Sequence, residues 1–417
     1  MSPSDFNSND WISAQSDEET PISQLSGPMR ASHPIFWLVL AVLAAGYMSL
    51  FVWSPLSEFS QSHWAMRIAG PGLIVLPFVP LILFATLARD LIAFRSVAVI
   101  YWLFLGCGGV VLNGMLTFNT VLDPERVRQN QLQDPKQHQD PRDMVRPGGL
   151  TQVAQVVLLT AGVVAIGLLC FTPSIRQIAS RWLPFDPGSF PDTVAFATAI
   201  ALSLGCVIPL LVLHEPPMLV LAEHAKDPIN QKSIVQPELS DLYAQLLWML
   251  PVTILAAGYP LVRGFRSSLK RLGLVTPTIW QLLIAVLAAG VFVVVMPQFE
   301  HLLDKIWRSL HWPTTDEAAY KELFGYAKTS AWAVAIAVTA GLGEEITFRG
   351  LLQPRLGLVG ANLLFTAVHA PQYQLDGLIS VFVIGLVLGY IRQRTNTTTS
   401  AIVHGLYDFM AVIALGS

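Results

Sequence analysis

Ala331-Trp-Ala-Val-Ala-Ile-Ala-Val-Thr-Ala-Gly-Leu-Gly-Glu-Glu-Ile-Thr-Phe-Arg-Gly350 is the stretch on which the reading of this chain turns. Its first half has the composition of a membrane-spanning helix. Glu344, Glu345 and Arg349 then follow while lipid should still be near. An ionisable group at the bilayer centre costs about 2.5–3.5 kcal/mol on insertion scales, so its first reading is functional. Two further apolar segments carry His369 and, one helical turn apart, His404 and Asp408.

The composition agrees with a membrane setting. The chain has 417 residues, 53% hydrophobic and 13% charged, with a mean hydropathy of +0.54. Soluble domains run near 25% charged. A net charge of −3 does not suggest a nucleic-acid partner. Cys107, Cys170 and Cys206 lie in apolar segments and form no CxxC pair, so they read as small buried hydrophobes rather than zinc ligands or disulfides.

About 20 apolar residues cross the hydrocarbon layer. On that measure about eleven spans are expected: 35–53, 70–88, 97–118, 153–171, 193–213, 242–262, 280–296, 327–347, 357–370, 377–391 and 400–415. Polar loops are expected at 123–147 and 214–240, a basic connector at 263–271, and an interfacial amphipathic stretch at 299–326. Residues 1–34 hold Asp5, Asp10, Asp17, Glu18 and Glu19 against Arg30, and are expected to be a polar, disordered tail without the basic start of a secretory signal. The fold class is therefore an all-α polytopic bundle. It divides into an N-terminal membrane region, 35–240, of unknown role, and a core, 241–417, that holds every candidate site residue and whose last six or so spans surround a cavity.

Residues four apart share a helix face. Glu345 can therefore meet Arg349, while Glu344 lies about 100° round the axis and projects alone. A lone carboxylate in a dry site suits a general base. Phe365 and His369 share a face, as do His404 and Asp408. Two mechanisms are open. In one, His369, His404, Asp408 and Glu344 supply ligands to a divalent metal such as zinc, which acidifies a water. In the other, Glu344 and His369 polarise the water without metal, and His404 with Asp408 faces the developing oxyanion. Each residue also has a plain structural reading: an ion pair for Glu345 and Arg349, a satisfied core histidine for His369, interhelical glue for His404 and Asp408. Rival functions are a proton-coupled transporter and a catalytically silent scaffold or immunity protein. No HExxH or GxSG motif occurs, which argues against zincin and rhomboid sites.

The run Glu344-Glu345-x-x-x-Arg349, Phe365-x-x-x-His369 and His404-x-x-x-Asp408 resembles the CPBP family of type II CAAX prenyl endopeptidases and bacteriocin-processing enzymes. Lys270-Arg-Leu-Gly-Leu274 looks like that family's lead-in. The resemblance spans roughly 241–417. It implies a multi-pass intramembrane endopeptidase, in a bacterial inner membrane, acting on a membrane-associated peptide or protein. Glu344 and His369 would activate water, His404 and Asp408 would stabilise the intermediate or bind metal, and Glu345, Arg349 and Phe365 would support them. Asp408 stands where prenyl-protein processors tend to have Asn, so the substrate is not expected to be a farnesylated CAAX protein.

Overall fold

The computed structural model describes residues 72, 74–132, 140–224, 239–316, 318–319 and 329–416. The polar tail and the first expected span lie outside these residues. All regular elements among them are helical: α1 Phe78–Leu87, α2 Ala93–Thr120, α3 Pro124–Leu132, α4 Gly149–Leu169, α5 Pro173–Ala179, α6 Phe190–Leu213, α7 Pro217–His224, α8 Leu239–Ala256, α9 Phe265–Arg271, α10 Ile279–Ser309, α11 Ser330–Val338, α12 Gln353–Ala367, α13 Leu375–Arg394 and α14 Thr397–Gly416. A π-helix, Thr339–Leu352, joins α11 to α12.

Six helical stretches among the described residues are long and apolar enough to cross a bilayer: α2, α4, α6, α10, the run Ser330–Ala367 and α13. The chain is a multi-pass integral membrane protein. Where α1 and α8 stand, the expected second and sixth spans are shorter apolar helices, Phe78–Leu87 and Asp241–Ala256. The expected eighth and ninth spans are one helical run, bent at Gly357, whose φ of 72° is a left-handed conformation that glycine adopts without a Cβ penalty. The expected break after Met296 is absent. Pro297 sits inside α10, which continues to Ser309. At 1.5 Å per residue these 31 residues exceed the roughly 30 Å hydrocarbon layer, so one end projects beyond it. The polar loops also hold short helices, α3 and α7, and the basic connector contains α9.

The helices pack in a continuous series, with α2 against α4, α4 against α6, α6 against α12, the π-helix against α8 and α14, and α14 against α10. Leu81, Trp102, Val164 and Phe196 of the N-terminal region share one core with Phe348, Leu364 and Phe365. The region of unknown role thus forms the wall behind the site-bearing helices.

A buried ion pair fastens that wall. Nε of Arg355 lies 3.0 Å from Oδ1 of Asp192, and both side chains are about nine-tenths buried. Arg355 also donates from Nη1 to the Leu351 carbonyl. Asp192→Ala should leave the guanidinium stranded and destabilise the protein by about 2 kcal/mol. Thermal melting of purified protein in detergent checks this; an unchanged midpoint would show that the pair carries no stability.

Candidate functional site

The site is built where the π-helix crosses α14. Gly341 and Gly405 make the crossing close. A Cβ on Gly341 would sit 2.7 Å from the Ala401 carbonyl, and one on Gly405 would sit 2.8 Å from the Ala337 carbonyl. Small residues are what allow two membrane helices to approach backbone to backbone. The start of α14 is fixed by Asn396, whose Oδ1 accepts from the Thr399 amide at 2.8 Å. The lead-in Lys270–Leu274 braces the same corner. Thr398 donates its amide to the Gly273 carbonyl, and the Val275 amide donates to Thr398 Oγ1. The Leu272 carbonyl packs against Gly350 at a distance that a Cβ would close to 2.7 Å.

Within this frame Glu345 is fully buried and central. Its Oε1 lies 3.2 Å from Nη1 of Arg349 and 3.0 Å from Nδ1 of His404, and its Oε2 accepts from Ser400 Oγ at 2.6 Å. The Arg349 Nη1 contact is off-line for a hydrogen bond, so it acts as a charge contact. Nη2 of Arg349 donates to the Gly385 carbonyl at 3.3 Å, and its guanidinium carbon lies 4.0 Å from the Phe365 ring centroid. That stacking gives a cation–π contribution in a dry setting. On the other side of His404, Nε2 stands 3.5 Å from Oδ2 of Asp408. The expected pair Glu345–Arg349 is therefore present, and it does more than fix a helix, because the same carboxylate holds His404.

Glu344 is half-buried and makes no hydrogen bond or ion pair among the described residues. It lies within electrostatic reach of Arg349, His404 and Asp408. Its isolation matches the face separation read from the sequence. His369, also half-buried, makes no hydrogen bond or ion pair with the other three among the described residues. Its Nδ1 is 2.7 Å from the Phe365 carbonyl, which can only accept, so Nδ1 carries the proton and Nε2 is the basic nitrogen. Phe365 links the histidines. Its ring is 4.8 Å from that of His369 and 6.2 Å, edge-on, from that of His404.

The metal set expected from His369, His404, Asp408 and Glu344 is not assembled. Among the described residues no group of three or more His, Cys, Asp or Glu is placed to hold an ion. Nδ1 of His404 is engaged by Glu345, and Nε2 has Asp408 beside it at 3.5 Å. Open apolar clefts lie between α2 and α4 and between α4 and α6, away from these residues.

Residues 326–410 match the family model for Rce1-like proteins, described as type II CAAX prenyl endopeptidase Rce1-like. This segment is similar to that family. It runs through the π-helix, α12, α13 and most of α14, and so contains Glu344, Glu345, Arg349, Phe365, His369, His404 and Asp408. No curated protein and no solved structure matches the chain. The matched segment is held from outside its limits by α8, through a Thr253–Thr347 hydroxyl contact of 3.1 Å, and by α6, through Asp192.

Sequence reasoning missed Ser400. A serine in an apolar helix is common and carries no mark of its own. The signal was its spacing, one turn before His404 on the same face.

Proposed function

We propose that this protein is an intramembrane endopeptidase that hydrolyses a peptide bond of a membrane-associated substrate with a water activated by Glu344 and His369. The observation that carries the reading is the arrangement of carboxylates about His404. Glu345 engages Nδ1, Asp408 stands opposite Nε2, and Glu344 lies unpaired within their field. The Rce1-like match supports peptidase chemistry for the same residues.

The steps follow from the geometry. Arg349 keeps Glu345 ionised, so His404 donates from Nδ1. The longer Nε2–Asp408 contact leaves Nε2 and Asp408 sharing a proton that can be offered to an oxyanion. That removes the repulsion an ionised Asp408 alone would cause. Glu344 takes a proton from the attacking water while oxygen bonds to the carbonyl carbon. The tetrahedral oxyanion is stabilised by the His404–Asp408 proton. Glu344 then returns its proton to the leaving nitrogen as the C–N bond breaks. His369, with Nε2 basic, orients the same water. Since the donor set for a metal is not assembled, no step passes through one. Asp408 in the position where prenyl-protein processors tend to have Asn points to a substrate other than a farnesylated CAAX protein, and a bacterial inner membrane is the proposed setting.

The test is cleavage of a membrane-anchored reporter peptide by the purified protein in liposomes. Cleavage should persist after exhaustive chelation and fall about 100-fold in His369→Ala. Full activity in that variant, or none in the wild type against a broad peptide panel, would refute the reading. Loss on chelation with recovery on adding zinc would refute the metal-free mechanism.

A further inference from the structure

We infer that Ser400 is a positioning residue that sets the tautomer of His404 by holding the carboxylate of Glu345. Only the activity arm of its test rests on the peptidase reading.

Ser400 is fully buried. Its Oγ lies 2.6 Å from Oε2 of Glu345 and 3.0 Å from the Leu388 carbonyl. A hydroxyl has one proton to give, and the ionised acceptor at the shorter distance takes it, because charge-assisted hydrogen bonds are the stronger ones. Ser400, His404 and Asp408 follow at four-residue spacing on α14, and Ser400 and His404 both reach the same carboxylate on the π-helix. The two oxygens of Glu345 are thereby assigned separate tasks. Oε2 is pinned by Ser400, and Oε1 is turned to Nδ1 of His404 and to Arg349.

The last torsion of a glutamate is broad and roughly two-fold, so on its own it does not fix which way the carboxylate plane faces. Arg349 does not fix it either, since its contact is off-line. The Ser400 bond supplies the missing constraint. With it, Nδ1 of His404 is the compelled donor and Nε2 is left for the proton shared with Asp408. Without it, the plane can turn and the other tautomer gains population. Ser400 touches no reacting atom in this scheme; it acts through Glu345 upon His404.

The experiment combines imidazole 15N NMR with kinetics on the full-length chain. The His404 resonances are assigned by their loss in His404→Gln. Wild type should show the proton on Nδ1, and Ser400→Ala should show exchange between tautomers. In the reporter assay Ser400→Ala should lower kcat about tenfold with KM unchanged, the size seen when the partner that orients a ligand or base is removed. Ser400→Thr keeps the hydroxyl and should restore both readouts. In an Asp408→Asn background the Ser400→Ala loss should shrink, because both act on one imidazole. Unaltered His404 signals in Ser400→Ala, a deficit that Thr does not restore, or a loss that multiplies independently of Asp408→Asn would each overturn the inference. Should wild type cleave nothing while the tautomer shift appears as described, the peptidase reading fails and this inference stands.

Discussion

Glu344→Gln is expected to give a folded protein whose kcat for peptide cleavage is lower by about 10²–10⁴, the range that a positioned general base contributes. Stability should hardly change. Glu344 forms no hydrogen bond or ion pair among the described residues, so the amide orphans no partner. Removing a charge from a half-buried position lightens a desolvation cost rather than adding one. This separates Glu344 from its neighbour, where the same exchange would disturb three donors. The measurement is single-turnover cleavage alongside a thermal melt in the same detergent. A variant that melts like wild type and cleaves at the wild-type rate removes Glu344 from the mechanism. It would also favour the silent-scaffold reading, in which the constellation serves packing alone. A proton-coupled transporter, by contrast, would show no cleavage in the wild type and a transport defect in the variant.

The parts of this molecule legible in the sequence are those set by local spacing and composition. Long apolar runs announced α2, α4, α6, α10 and α13. Four-residue spacing announced the Glu345–Arg349 and His404–Asp408 contacts, both present. What stayed hidden depends on separation along the chain. Ser400 and His404 meet Glu345 across 55 and 59 residues, and Arg355 meets Asp192 across 163. No pattern in either partner's own segment carries that pairing. The π-helical winding of Thr339–Leu352 was equally invisible, since hydrophobic spacing reports a 3.6-residue turn and not the wider one. Residues 348–356 include Arg349, Gln353, Pro354 and Arg355, so they read as a break between spans. Each of the three long polar side chains instead finds a hydrogen-bond partner inside the protein. Gln353 donates to the Gly389 carbonyl at 2.9 Å, Arg349 to Gly385, and Arg355 to Asp192, which lets the helix run on through them. The fold engages Nδ1 of His404 with Glu345 and Nδ1 of His369 with the Phe365 carbonyl, a choice fixed by side-chain direction rather than residue type.

The largest stability effect is expected at the centre of this network, and its two ends should not be equal. Arg349→Met removes a guanidinium that is 2% exposed and leaves Glu345 as a buried carboxylate. His404 and Ser400 still donate to that carboxylate, which softens the loss. Glu345→Ala leaves the Arg349 charge with the Gly385 carbonyl, the Phe365 ring and the more distant Glu344 carboxylate, and strands the donors of His404 and Ser400 as well. Breaking a buried pair costs about 3–5 kcal/mol, with Glu345→Ala expected at or above the top of that range and Arg349→Met near the bottom. The double variant Glu345→Ala, Arg349→Met should be more stable than Glu345→Ala alone, because it no longer buries a stranded cation. Arg349→Lys should not substitute for arginine, since a point charge on a flexible stem cannot reach Gly385 while stacking on Phe365. Unfolding of the four variants in a common detergent, read by loss of helical signal, gives the order directly. Equal costs for both single variants, adding up in the double, would mean that the two side chains are held by independent contacts and that Glu345 is not the shared anchor of Arg349, Ser400 and His404.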